Sequence, residues 1–202
     1  MNETILNIGS REMEYGDVRI DVYRTKAVDI IASAESLPFK NECFDTVFSR
    51  CVFEHLPNAL DSLLEQKRVC KLGGQIEIIT DNAGYWAYHT LGQHIRPLIF
   101  IGKSSLCQGK VWSDQHYALY TRKHLENLFS LAGLVPIKVE FSDFGTNADF
   151  INKIVRAFRL LENFSYPRIH AIGLKTKSQL LLEKDRLCKT GGRKMNCLLH
   201  LI

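Results

Sequence analysis

Long apolar runs are missing from this 202-residue chain: stretches such as Leu98 to Ile101 end after a few residues, far short of the ~20 that a membrane helix needs. The opening residues are polar and lead straight into a strand, so no signal peptide is expected. Paired cysteines are missing as well. The six, at 43, 51, 70, 107, 188 and 197, form no CxxC pair and follow no regular spacing, which removes a zinc ribbon and gives no disulfide framework. Cys43, Cys51 and Cys70 fall in or beside expected core elements, where a thiol acts as a small apolar group. Reduced thiols in a cytoplasmic protein are expected. Cys188, Cys197 and His200 are not read as a metal site, and no metal is expected. No GxGxxG turn follows the first strand, which argues against a nicotinamide-dependent dehydrogenase. Internal repeats and low-complexity segments are also absent.

A strong charge of one sign is the last absence, the formal net charge being only +4. Much of it gathers near the end of the chain, at Lys175, Lys177, Lys184, Arg186, Lys189, Arg193 and Lys194. Residues 175–202 are read as a basic tail, either solvated or touching phosphate or an anionic membrane surface. With the excess positive charge gathered mainly there, no nucleic-acid partner is expected.

What remains is ordinary globular composition, 46% hydrophobic and 24% charged, on a length that suits one domain. Short runs rich in Ile and Val predict strands over Thr4–Ile8, Val18–Val22, Val28–Ala32, Phe44–Ser49 and Gln75–Thr80. They do not alternate strictly, as expected of strands covered on both faces. Leu60, Leu63, Leu64 and Val69 form one helical stripe, with Pro57 suited to the first turn and Gly73 to the left-handed stop. Thr121 is the expected cap of a helix over Arg122–Ala132 that ends on Gly133. Alternation at Val135, Ile137, Val139 and Phe141 predicts a strand, with Pro136 placing it near an edge. A helix burying Phe150 to Leu161 and a closing strand over Arg168–Leu174 complete the order. Only residues 9–17 and 23–27 separate the first three strands, whereas a parallel crossover normally takes about a dozen residues or more. Those crossover helices are expected to be a single turn or absent, leaving a thinly covered edge that makes a homodimer plausible.

The segment AESLPFKNECFDTVFSRCVFEHLPNALDSLLEQKRVCKLGG, from Ala34 to Gly74, is the most informative in the chain. Its Leu37-Pro38-Phe39 loop, Phe44-Asp45 strand opening, Glu54-His55-Leu56 turn and Gly73-Gly74 end resemble class I S-adenosylmethionine-dependent methyltransferases. The pattern is most similar to the small-molecule, methyltransferase type 11-like branch. The resemblance implies a doubly wound, Rossmann-like, mostly parallel α/β sheet ending in an antiparallel strand pair, here with shortened N-terminal crossovers. It implies one such domain over residues 1–174, S-adenosylmethionine as cofactor and a small-molecule acceptor.

Carried onto this chain, the family's glycine turn falls on Gly9 and Ser10, with Arg11 where a second glycine is usual. Asp21 matches the acidic residue that receives the ribose hydroxyls; a carboxylate accepts both at once, each charge-assisted bond contributing roughly 1.5–3 kcal/mol. Ser33, Ala34 and Glu35 match the segment edging the adenine, although the family usually has Asp where Ser33 stands. Ser49 and Arg50, at the carboxyl end of the fourth strand, are placed to hold the methionine part. Asp45 is read as structural. For an acceptor that must lose a proton, His55, Asp81 and His116 are the candidate bases, tested in that order, an imidazole being able to accept a proton near neutral pH. His55 has a plain alternative as a helix-start residue bonded to backbone. Residues 83–120 carry Tyr85, Trp86, Tyr88, His89, His94, Trp112, His116, Tyr117 and Tyr120. They are too long for a plain connection and read as a lid or substrate loop, or as a small satellite core.

A second function class stays open beside the enzyme. Arg11, Ser33 and the short crossovers also fit a catalytically degenerate member kept as a binding or dimerisation module.

Overall fold

The computed structural model describes residues 3–85, 116–142 and 162–177. Most of the aromatic-rich segment, the expected helix over Phe150–Leu161 and the tail beyond residue 177 lie outside the described residues. Seven strands form one sheet: β1 (Ile5–Ile8), β2 (Val18–Asp21), β3 (Ile30–Ile31), β4 (Phe44–Arg50), β5 (Cys70–Asp81), β6 (Val135–Ser142) and β7 (Arg168–Leu174). Their order is β3-β2-β1-β4-β5-β7-β6. The first five run parallel, while β7 pairs antiparallel with both β5 and β6. This is the doubly wound sheet with a terminal antiparallel pair that the motifs predict.

The core explains why these short runs become strands. Leu6, Ile8, Ile20, Val47, Ile76 and Ile78, from four adjacent strands, are all buried in one cluster with Leu63 and Val69 of α1 (Ala59–Val69) and with Phe53. Leu125 and Phe129 of α2 (Arg122–Leu131) extend it to Ile169 and Ala171 of β7. Burying each such side chain contributes about 1.5–3 kcal/mol. Thr121 caps α2, its hydroxyl accepting from the amide of His124 at 3.2 Å. Beyond it a short α3 (Glu162–Ser165) precedes β7.

Two details around α1 differ from expectation. Its cap is Asn58, so Pro57 lies before the helix and not in its first turn. The helix also ends without a left-handed residue, because Cys70 is already extended and starts β5. Gly73 does take φ +83°, but inside β5, where the pairing jumps from Phe44–Cys70 to Thr46–Gln75. The irregularity is closed by Lys175, whose main chain exchanges hydrogen bonds with Gly73 and Gly74. Its buried ammonium donates to the Cys70 carbonyl at 2.7 Å.

Between β1, β2 and β3 there is no helix at all. Side chains do the work of the missing crossovers. Asn7 donates to the Tyr15 carbonyl at 3.0 Å, and Asp17 accepts from the Ile5 amide at 2.8 Å. Asp29 accepts from the main chain and the guanidinium of Arg19. The edge that results is apolar: Val22, Tyr23, Ile30 and Ile31 are exposed there, Tyr23 to 71%.

Gly9 shows how tightly the turn after β1 is built. It has φ +68°, and a Cβ added to it would lie 2.3 Å from Val52 Cγ2. Gly9→Ala is expected to cost about 1–3 kcal/mol in urea unfolding, from crowding and a left-handed backbone together. Val52→Ala in the same chain should restore the crowding part. An unchanged midpoint in Gly9→Ala would contradict this packing.

Candidate active site

In an open parallel sheet ligands bind beyond the carboxyl ends of the strands, where the strand order reverses. Here the reversal lies between β1 and β4, the two neighbours that leave in opposite directions. A cleft of about 290 Å³ opens there, lined by Gly9, Ser10, Arg11, Met13, Arg50, Cys51, Glu54, His55, Asp81, His116 and Arg168. A larger hollow, about 420 Å³, lies at the amino ends around Asp45, Lys71 and Gly73. Its charges are already matched. Asp45 accepts from the Thr4 amide and hydroxyl and from Lys71, bonds that hold its carboxyl well below the usual range. Asp45 is thus a structural clamp, and the smaller cleft is the candidate for chemistry.

Each strand end delivers its residue for a local reason. Cys51 follows β4 in the left-handed conformation, φ +52°, with its amide bonded to the Ile79 carbonyl at 2.8 Å. That turn throws the chain into a one-turn 3-10 helix over Phe53–His55. Residues 116–120 fold back over it: the Tyr117 amide donates to the Glu54 carbonyl at 2.7 Å, and the Tyr120 hydroxyl donates to the Phe53 carbonyl at 3.3 Å. His116 is thereby set against His55, ring centroids 4.8 Å apart and edge to face. Asp81, ending β5, has His116 Nδ1 at 3.8 Å and Arg168 Nε at 3.6 Å. The three candidate bases His55, Asp81 and His116 therefore share one cleft, although His116 is far from the others in sequence.

The residues matched to cofactor contacts divide into two groups. Gly9, Ser10 and Arg50 line the cleft. Ser49 lies buried beside them, paired in register with Ile8. Asp21 stands behind the turn, buried, with one oxygen accepting from the Arg11 amide and the other from the Tyr23 amide, both at 3.0 Å. These bonds, with Thr25 Oγ1 donating to the Arg11 carbonyl, hold Arg11 at φ +46°. Ser33, Ala34 and Glu35 do not line the cleft. Ser33 Oγ accepts from the Glu35 amide, Glu35 accepts from the Asn58 amide ahead of α1, and Ala34 packs in the core. The Leu37-Pro38-Phe39 loop is held by Arg68, which donates to the Leu37 and Phe39 carbonyls and pairs with Glu65.

Sequence reasoning missed Cys51, Glu54 and Arg168. Glu54 is 1% exposed, and its Oε2 accepts from Thr80 Oγ1 at 2.8 Å. Burial, and secondarily the charge of Asp81, pushes its carboxyl up to about 7. Burial, and then Glu54, pushes the Cys51 thiol up to about 12. The only advance signal was position, Glu54 standing beside His55 in the strand-to-helix turn. Donor atoms of Cys51, Glu54 and Asp81 lie within 4.8 Å of one another, close enough for a metal ion. Arg168, however, already sets a fixed positive charge against Asp81, and the thiol is held protonated. The trio is better suited to keeping a proton than a divalent cation.

Comparison with known proteins agrees with this geometry. A family model for a methyltransferase domain matches residues 12–78. The fold is similar to that of a SAM-dependent methyltransferase from Thermotoga maritima, at 13% identity, covering 87% of this chain and 83% of that one with a TM-score of 0.55. It is likewise similar to the YcgJ protein of Bacillus subtilis, at 17% identity, 87% and 93% coverage and a TM-score of 0.52. A third likeness is to a chain in the complex between the Haloferax volcanii methyltransferase activator Trm112 and a methyltransferase candidate, at 13% identity, 86% and 82% coverage and a TM-score of 0.52. No curated protein sequence matches the chain. The structural identities establish the fold, and the domain match falls on the segment that builds β2 to β5 and much of the cleft. Together they show the fold of a methyltransferase and, over residues 12–78, a likeness to the methyltransferase domain family.

Proposed function

We propose that the chain methylates a small-molecule acceptor held over the carboxyl ends of β4 and β5. The observation that carries this reading is the joint lining of one cleft by Gly9, Ser10 and Arg50 on one side and His55, Asp81 and His116 on the other. Bound S-adenosylmethionine supplies an electrophilic methyl group on a positively charged sulfur.

The residues present fit its methionine half. The hydroxyls of Ser10 and Ser49 are buried and have no hydrogen-bond partner among the described residues, a costly state that a polar ligand relieves. Arg50, at the carboxyl end of β4, would suit a carboxylate, and Asp81 an ammonium or a sulfonium. Asp21 keeps lone pairs beyond the two amide bonds, enough to receive ribose hydroxyls. Ser33, Ala34 and Glu35 would edge the adenine by the family resemblance, although none of them lines the cleft. On the acceptor side the protein's task is alignment, worth about 7–11 kcal/mol in well-oriented reactions, with His55, Asp81 and His116 placed to hold or move a proton.

A second copy of the chain is the occupant we propose for the β3 edge. Of the nine exposed large hydrophobics among the described residues, four (Val22, Tyr23, Ile30 and Ile31) lie beside β2 and β3. The opposite edge, β6, carries Pro136, Lys138 and Glu140, which discourage pairing. Free thiols at Cys43, Cys51 and Cys70 fit a reducing, cytoplasmic setting. No helix among the described residues is long and apolar enough to cross a membrane.

Two measurements check these proposals. Calorimetric titration with S-adenosylmethionine should give a single site that Asp21→Ala weakens about tenfold or more; a folded wild-type sample that binds nothing would support the degenerate-module reading instead. In sedimentation, the wild type should run as a dimer and Ile31→Lys as a monomer. A wild-type monomer at tens of micromolar would dismiss the edge contact.

A further inference from the structure

Glu54 has no part in the cofactor contacts above, yet it is a buried carboxyl that lines the cleft. Its position is fixed twice. Thr80, from the end of β5, donates to its Oε2 at 2.8 Å, and its own main-chain oxygen holds the amide of Tyr117. The groups around it come from every neighbouring element. Asp81 faces it from β5, Cys51 from the end of β4 and His55 from its own 3-10 turn. Tyr120 faces it from the segment ahead of α2. Arg168, a fixed cation at the start of β7, stands against Asp81.

A carboxylate in such a place is expensive to ionise, and a hydroxyl donor such as Thr80 only partly offsets the cost. A carboxyl of this kind, buried in the wall of a cleft and anchored by Thr80, is suited to receiving a proton from a bound molecule.

We propose that Glu54 is the general base of the acceptor site, taking the proton that an O–H or N–H acceptor sheds as it gains the methyl group. This inference rests on the methyl-transfer reading of the same cleft. The balance is simple. A bond forms from the acceptor atom to the methyl carbon while the carbon–sulfur bond breaks and leaves a neutral thioether. The acceptor's proton moves to Glu54, which becomes a neutral acid until water at the cleft mouth removes it. Burial, with the Asp81 charge behind it, raises the carboxyl to about 7, so it is a far stronger base than a solvated glutamate and still ionised in part near neutrality. The acceptor class follows: a neutral alcohol, phenol or amine needs such a base, whereas a thiolate or carboxylate does not.

Glu54→Gln tests this, because the amide oxygen still accepts from Thr80. Two readouts are taken. The first needs no activity. A carboxyl raised on folding stabilises the fold fully below its unfolded value, 4.5, and loses that contribution as pH rises through the folded value. The wild type should therefore lose melting temperature relative to Glu54→Gln between about pH 5 and pH 8. Parallel melting curves would overturn the proposal. The second is methyl transfer from labelled S-adenosylmethionine to a panel of one simple phenol, one primary amine and one thiol. Glu54→Gln should lose about 10²- to 10⁴-fold on the phenol or amine, together with the acid limb of the rate profile, while the thiol is barely affected and cofactor binding is unchanged. A variant within threefold of wild type on all three, with the acid limb intact, would sink the idea of a base and leave methyl transfer standing. Failure of the wild type to bind cofactor would instead remove the methyl-transfer reading on which the base depends, whatever the melting curves show.

Discussion

The candidate cleft depends on β1 being paired on both sides, with β2 to its left and β4 to its right. The two neighbours lead the chain away in opposite directions, so their loops part and leave a cleft above the strand ends. The pairing is enforced from below. Asp45 at the start of β4 takes the Thr4 amide and hydroxyl just ahead of β1, while Leu6, Ile8 and Val47 share the core with α1. A one-residue slip of β1 would turn Leu6 and Ile8 out of that core, so the register is strongly specified.

The turn above β1 shows a chain that has tied its own ends. Val52 closes on the glycine at one side, and Asp21 gathers the amides of Arg11 and Tyr23 at the other. A helix would ordinarily brace this loop, and none is present between β1 and β2. Individual hydrogen bonds from aspartates and Asn7 carry that duty. The bracing of the loop and the ribose contact proposed for Asp21 would use the same chemistry, since both require acceptor lone pairs at the end of β2. The left-handed residues Arg11 and Cys51 stand on opposite walls of the cleft, backbone strain of the kind that gathers at binding sites.

Much of the fold was legible because its cause is local. The apolar runs behind β4 and β7, the stripe on α1 and the Thr121 cap depend on near neighbours, and these elements stand within a residue or two of expectation. Pro57 and Gly73 were misread for an equally physical reason. The pairing of β5 with β4 draws Cys70 into the sheet before Gly73 is reached, so tertiary pairing ends the helix and the glycine is left to relieve a bulge. The cleft lining was legible at His55 and Asp81, because both stand at or just past a strand end that the apolar runs locate. It was not legible at Glu54, whose meaning comes from burial and from Thr80, or at Arg168, which reaches Asp81 only through the antiparallel return of β7.

The central claim is that the cleft between β1 and β4 receives the cofactor. Backbone amide shifts recorded on the isotope-labelled protein during titration with S-adenosylmethionine test it most directly. The account predicts the largest changes at Gly9 to Arg11, Arg50 to His55 and Asp81. Changes confined to the hollow around Asp45, Lys71 and Gly73, or no change in a folded protein, would contradict it.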